Sequence, residues 1–461
     1  MRDSILYISL LSVLLLSACS FIANADQSLM ESKQKSVPQY KISMETDIEQ
    51  FSDYQVTIHY PQTPNSQVNQ TIIDYVNQRK NTFKKESFQA SDVQKDNNPH
   101  ELHVNFHVLY EDSNVFVVRF DERTEWGSSR SKKTMTMMNF DKTTGTQIKL
   151  TDLFKENDGI SAFSKQAVQE AAKQLHSHKN ALVNQLKSSL ASNPENFEDF
   201  ALTNNKVSIY LNDLDLPGNV PLEKLDIKKK QLKNVLDSAY LKESTPYKET
   251  TEKVETSKSK NNSADVKSQS QVLDNKDKVI ALTFNDGPHP KVTTKILKTL
   301  TKYDAKATFF MIGQRAQYYP DVVREVYNQG SQIGNHTWDH SKASSLKAEE
   351  LEEELSSTQD VIQKITGEAP QVMRFPFEVK PLKSIDTSLR LTPYNISVSD
   401  WQDQKPEEIA AEVTAKAKDG SIIMLHDLYP ATAEAVEQIV PQLTKQGYRF
   451  VTIEELQQLQ K

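Results

Sequence analysis

Val279-Ile280-Ala281-Leu282-Thr283-Phe284 is a short apolar run that ends on Asn285-Asp286-Gly287-Pro288. Bounded by a Gly-Pro turn signal, such a run reads as a strand buried on both faces, the kind found in parallel sheets. From Lys278 onward strand and helix patterns alternate. The spacing predicts helices over 292–303, 318–328, 347–366, 406–418 and 431–445. It predicts strands over 307–312, 331–334, 372–375, 396–398 and 421–425. That rhythm argues for an α/β fold, a parallel sheet wrapped by helices.

The residues that can carry chemistry sit at the ends of those strands. Asp286 closes the first, and His336-Thr337-Trp338-Asp339-His340 follows the strand at 331–334. A carboxylate and two imidazoles form a ligand set suited to zinc. Three protein ligands leave a position open, the mark of a catalytic rather than a structural metal site. If the turn between the two histidines is helical, their i, i+4 spacing puts both rings on one face. Arg374-Phe375-Pro376-Phe377, Asp400-Trp401 and Leu425-His426-Asp427 come later, each at or just after a strand-like run. His289 reads as a loop residue rather than a ligand.

In this order the five segments resemble the polysaccharide deacetylase family, the NodB homology domain, over residues 277–461. The resemblance implies a distorted (β/α) barrel of seven or eight strands with its chemistry at the strands' C-terminal ends. It implies a metal-dependent N-deacetylase that hydrolyses the acetamide C–N bond of cell-wall amino sugars. One divalent ion is expected on Asp286, His336 and His340, zinc by preference, with cobalt or another ion open. His426 matches the acid that protonates the amine, which an amide needs because it cannot expel an amide anion at neutral pH. Asp400 matches the carboxylate that orients His426. Trp401 and Leu425 match the wall of the acetyl pocket, and the backbone N–H of Phe377 matches a donor to the oxyanion.

One position departs from the family pattern. Members usually carry two aspartates in the first segment, the first as general base, and Asn285 stands in its place. A carboxamide has no useful basicity, and loss of a positioned base costs ~10²–10⁴ in rate. The change leaves Arg374 without the carboxylate it would pair with. Glu378 occupies a position where glycine is usual, and Ser397 replaces an acid often found ahead of Asp400. Glu378 either compensates, by pairing with Arg374 or as a displaced base, or is a surface glutamate. Two functions stay open: a deacetylase impaired by Asn285, and a non-catalytic lipoprotein that binds peptidoglycan. Retention of the ligands, Asp400 and His426 favours the enzyme.

The remainder sets the context. A chain of 461 residues suggests two or three domains. A net charge of −7 offers no electrostatic ground for nucleic-acid binding. Arg2 and the apolar run 5–16 read as a signal-peptide core, too short for a span of about twenty residues. Leu16-Ser17-Ala18-Cys19 resembles a lipobox, which implies acylation of Cys19, the only cysteine, and anchorage to the outer face of a Gram-positive-type cell membrane. Cleavage after Ala23-Asn24-Ala25 is the alternative. The expected layout is a signal peptide at 1–18, a polar tether at 19–40, an α+β domain at 41–242, a flexible linker at 243–276 and the deacetylase domain at 277–461.

In the α+β domain, 54–60, 102–108 and 115–120 read as strands, and 162–186 has helical spacing. Asn139-Phe140-Asp141, Thr144-Gly145 and Leu150-Thr151-Asp152-Leu153-Phe154 resemble a domain of unassigned chemistry. It precedes some peptidoglycan deacetylases and occurs in a lysozyme-sensing anti-sigma factor, which implies a protein or lysozyme-like partner. The Gly-Gly-Ala-His usual upstream is replaced by Trp126-Gly127-Ser128-Ser129. His103 and His107 share a strand face, with His59 on another strand. A metal site there is one reading; solvated strand-face histidines are the reading adopted.

Overall fold

The computed structural model describes residues 40–90, 99–127, 130–156, 158–175, 187–211, 222–241, 278–381, 385, 387–402 and 404–460. Cys19, the tether up to residue 39, the linker and the second half of the helix expected at 162–186 lie outside the described residues. Residues 43–461 form one compact unit.

The first part of that unit is a sheet of five strands, β1 (Ser43–Gln50), β2 (Tyr54–Gln62), β3 (His100–Glu111), β4 (Val115–Trp126) and β5 (Arg130–Asp141), in that spatial order. β2 and β3 are parallel and the other pairs antiparallel. A parallel pair needs a crossover, and helix α1 (Ser66–Gln89) supplies it. The side chain of Asn65 caps α1 by accepting from the N–H groups of Gln67 and Val68. Val68, Ile72, Val76 and Phe83 make its buried stripe.

Helix α2 (Gly159–Gln174) then packs with a second, antiparallel sheet of β6 (Phe200–Leu202), β7 (Lys206–Tyr210) and β8 (Lys224–Lys228). Phe163, Phe197, Ile209 and Leu225 fill the core between them.

The sheet β9 (Lys278–Asn285), β10 (Ala307–Met311), β11 (Gln332–Asn335), β12 (Val372–Met373), β13 (Arg390–Leu391), β14 (Ile396–Ser397), β15 (Ser421–His426) and β16 (Tyr448–Phe450) is parallel throughout. Its order is β13-β12-β11-β10-β9-β15-β14, with β16 beside the start of β9. β13 and β14 are its two ends, so the expected barrel is a half-barrel open at that seam. Helices α3 (Val292–Lys302), α4 (Gly313–Tyr318), α5 (Pro320–Asn328), α6 (Ala348–Thr366), α7 (Pro406–Lys416), α8 (Pro430–Lys445) and α9 (Ile453–Leu459) wrap it. Side chains alternate along each strand. Leu282, Phe284, Ile423 and Leu425 therefore point into the core under the helices, while Asn285, Met424 and His426 line a cavity at the C-terminal end of the sheet.

Candidate active site

Strand ends converge on that cavity. Register pairs Asn285 of β9 with His426 of β15 and with Phe310 of β10. Asp286 follows β9, His336 follows β11 and Arg374 follows β12. The turn from His336 to His340 is not helical, contrary to the geometry that would have aligned the rings. It reverses through left-handed residues, with φ of 64° at Thr337 and 63° at His340. Among the described residues, Asp286, Thr337, His340, Phe377 and Glu378 are five of the six non-glycine residues with positive φ. Each such conformation costs about 1–3 kcal/mol and persists only where the surroundings impose it. Their concentration here marks the site as the place where packing overrides local preference.

His336 Nε2 lies 3.0 Å from Asp286 Oδ1, and His340 Nε2 lies 3.3 Å from it. Nδ1 of His336 is 2.7 Å from the Arg374 carbonyl. A carbonyl can only accept, so Nδ1 carries the proton and Nε2 offers a lone pair. Asp286 Oδ1 is buried with no hydrogen-bond partner. Burial works against its ionisation, but positive charge at His340 and protons on the two Nε2 atoms, in the place a cation would take, outweigh that and hold the carboxyl well below its usual range. Burial also lowers the pKa of His336, which favours the neutral ring a ligand needs. A carboxylate oxygen and imidazole lone pairs facing one another within 4.8 Å fit a divalent cation and little else.

Across the cavity, His426 Nδ1 lies 2.8 Å from Asp400 Oδ1. The His426 backbone N–H donates to Asp400 Oδ2 at 2.8 Å, and the Thr432 hydroxyl donates to the same oxygen at 2.7 Å. Burial disfavours the imidazolium, yet the Asp400 carboxylate prevails and raises the His426 pKa to about 9. The ring is thus a cation at neutral pH with Nε2–H free to donate.

Asn285 and Arg374 differ from expectation. Arg374 is not bereft of its neighbour: its Nη1 donates to Asn285 Oδ1 and Thr283 Oγ1, both at 2.9 Å. The amide oxygen replaces a carboxylate oxygen as acceptor but not as counter-charge, and burial lowers the Arg374 pKa to about 10. Glu378 bonds the Tyr394 hydroxyl and not Arg374. It lines the cavity beside Phe377, whose ring stands edge-on to His340 with centroids 4.7 Å apart. Trp401 lines the cavity too. Leu425 does not share that wall: alternation along β15 turns it into the core and presents Met424 instead. His289 accepts from the N–H groups of Lys291 and Val292 and so caps the start of α3.

Several participants had no signal in the sequence. Tyr429 lines the cavity just after His426, and Ile48 and Gln50 of β1 line it from the first sheet. The strand-face histidines are a correction. His59 and His103 are not solvated but are 0% and 4% exposed. Their Nε2 atoms lie 2.7 and 2.9 Å from the backbone carbonyl of Asp339, inside the metal-ligand turn. Only His107 keeps an exposed place, beside Asp121.

The chain is similar in sequence to known proteins. The profile of the polysaccharide deacetylase family matches residues 273–391. The peptidoglycan-N-acetylmuramic acid deacetylase PdaC of Bacillus subtilis is 28% identical over 427 residues, 91% of this chain and 89% of that one. A peptidoglycan-N-acetylglucosamine deacetylase of Bacillus cereus is 39% identical over 191 residues, 40% of this chain and 89% of that one. The solved structure of the Bacillus subtilis PdaC deacetylase covers 41% of this chain and 94% of its own, with 36% identity and a TM-score of 0.39.

Proposed function

The chain belongs to the polysaccharide deacetylase family, hydrolases of N-acetyl amide bonds, and from that membership we propose a metal-dependent N-deacetylase of peptidoglycan amino sugars, impaired by Asn285. The observation that carries the reading is the buried Asp286–His336–His340 cluster set across one cavity from the His426–Asp400 pair. Ligand chemistry favours zinc, with cobalt or another divalent ion able to serve. When bound, such an ion polarises the acetamide carbonyl and acidifies water in the site.

The chain's own groups would supply the acid and the walls of the site, but not the base. Water adds to the acetamide carbon and the C–N bond breaks, releasing acetate and a free amine. His426, held by Asp400, gives its Nε2 proton to the departing nitrogen. Trp401 and Met424 border the acetyl group, and the Phe377 N–H is the candidate oxyanion donor. The attacking water must also lose a proton. Asn285 cannot take it, and Glu378 is engaged with Tyr394. That gap supports the second reading, a surface protein that binds peptidoglycan without turning it over.

The boundaries at 19–40, 41–242, 243–276 and 277–461 are part of the proposal, as is lipid attachment through Cys19 on the outer face of the membrane. Among the described residues no helix is long and apolar enough to cross a membrane. A protein or lysozyme-like partner of the first domain rests on resemblance alone. The test is amine release from peptidoglycan and N-acetylated chito-oligomers by metal-replete protein. Release that His426→Ala abolishes supports the enzyme; binding of both glycans without release, even in Asn285→Asp, overturns it.

A further inference from the structure

We infer that the first sheet is a built part of the metal centre, with Thr57 of β2 as the positioning residue for the ligand His340. The inference rests on the reading of Asp286, His336 and His340 as metal ligands. Thr57 Oγ1 lies 3.1 Å from His340 Nδ1, and both residues are buried. With Nε2 turned to Asp286, a neutral His340 carries its proton on Nδ1 and donates it to Thr57. The two ligand histidines are thus oriented from different parts of the chain, His336 by the carbonyl of Arg374 and His340 by a hydroxyl of the first sheet.

The rest of that sheet face grips the same turn. His59 and His103 donate from Nε2 to the Asp339 carbonyl, which has a lone pair for each. Asn105 Nδ2 donates to Asp339 Oδ2 at 3.2 Å. A relay fixes the His59 tautomer: Arg315 Nη1 donates to Thr46 Oγ1, and Thr46 in turn donates to His59 Nδ1 at 2.9 Å. Burial keeps His59 neutral, with its pKa lowered to about 3. From the far side Glu354 accepts from the N–H groups of Trp338 and Asp339 at 2.8 and 3.1 Å. A turn with left-handed residues at 337 and 340 needs such clamping on both sides.

Loss of a partner that orients a ligand histidine weakens metal binding by roughly 10–100-fold. The experiment measures zinc affinity of the full chain by competition with a chromophoric chelator. Thr57→Val is expected to weaken it by that factor, and Thr57→Ser to restore it. Wild-type affinity in Thr57→Val overturns the inference, as does equal weakening in Thr57→Ser, which would assign the effect to packing. Should Thr57→Val not fold, imidazole nitrogen shifts of His340 in zinc-loaded wild type decide, a proton on Nε2 being the overturning result. His336→Ala separates the layers. Undiminished zinc there sinks the metal-site reading itself, whereas zinc lost there but kept in Thr57→Val sinks only this inference.

A different observation carries a second inference: the geometry assigns the end of β1 as a sugar-contacting wall of the cleft. Even-numbered residues of β1 face the half-barrel, and Tyr429 donates to the Ile48 carbonyl at 3.3 Å. Ile48 and Gln50 line the cavity. Just beyond them Phe51 is 45% exposed and stands edge-on to Trp401, with centroids 6.2 Å apart. Exposed Phe51 and half-buried Trp401, the latter lining the cavity, offer apolar faces to pyranose C–H groups, with Gln50 as an amide partner for hydroxyl and acetamido groups. Calorimetric binding of N-acetylated chito-oligomers tests this without turnover. Phe51→Ala and Gln50→Ala are each expected to weaken binding by roughly 2–10-fold, the scale of one aromatic contact, with zinc affinity unchanged. The inference rests on the glycan reading of the cavity: no binding by wild type sinks that reading, whereas wild-type binding by both variants overturns this inference alone.

Discussion

At position 285 one atom separates the amide present from the carboxylate that the proposed mechanism would use as its base. Arg374 donates to Asn285 Oδ1, and burial lowers its pKa to about 10 although Glu378 and Asp286 favour its charge. Asn285→Asp should regain that partner, which keeps the new carboxylate ionised near neutral pH. The substitution is expected to raise kcat on an N-acetylated glycan by roughly 10²-fold or more. Single-turnover amine release checks it, and equal rates in both proteins would direct attention to Glu378→Gln. His426 gives a second prediction. Its pKa is raised to about 9 by Asp400 against the opposing effect of burial. In Asn285→Asp, kcat/KM should therefore hold to near pH 9 and fall beyond it. Asp400→Asn should move that limb down toward 6.5, the ordinary value for histidine. The stability term has the same sign. A raised pKa contributes fully below 6.5 and is lost as pH rises through about 9. Denaturation midpoints of wild type and Asp400→Asn should accordingly draw together above that range.

Among elements, the strands that place the ligands were legible because their patterns were strong. The apolar run at 279–284 became β9, and the runs at 307–312 and 421–425 became β10 and β15 with ends shifted by a residue or so. β1 and β16 were not foreseen. β1 alternates Met44, Thr46 and Ile48 with Glu45, Asp47 and Glu49. In the structure Lys80 and Lys84 of α1 pair with Asp47 and Glu49, so both faces of the strand are used. Close packing between β10 and β11 gives a prediction at this scale. A Cβ on Gly334 would lie 2.4 Å from the Phe310 ring. Gly334→Ala should destabilise by about 1–3 kcal/mol through overpacking, seen as a lower urea midpoint with an unchanged m-value.

In the whole molecule, the first sheet and the half-barrel share polar contacts beyond the metal turn. Arg315, 0% exposed, reaches Thr46 of β1 and the carbonyl of Pro288, and the Tyr319 hydroxyl bonds both backbone groups of Met44. Metal occupancy should therefore be felt across residues 43–461. Binding to the folded state alone adds about 2.7 kcal/mol when free metal is 100-fold above Kd. Chelation should lower the thermal midpoint accordingly, and the double variant His336→Ala, His340→Ala should show no response to metal. A midpoint indifferent to metal in wild type would remove the site from the account.

What the sequence determined by itself was the fold class and the Asp286, His336 and His340 group that can hold a metal. Apolar runs of fixed length specify buried parallel strands, and ligand-type residues at their ends announce a metal centre because few other groups hold a dication. What only the tertiary structure decided depends on contacts between residues far apart in the chain. His59, His103 and Thr57 read as strand-face polar residues until β2 and β3 are seated on the 336–340 turn. Arg374 reads as unpartnered until the amide oxygen of Asn285 is placed against it. Local pattern reports which face of an element a side chain shares, but not what that face meets, and here that meeting orients a ligand.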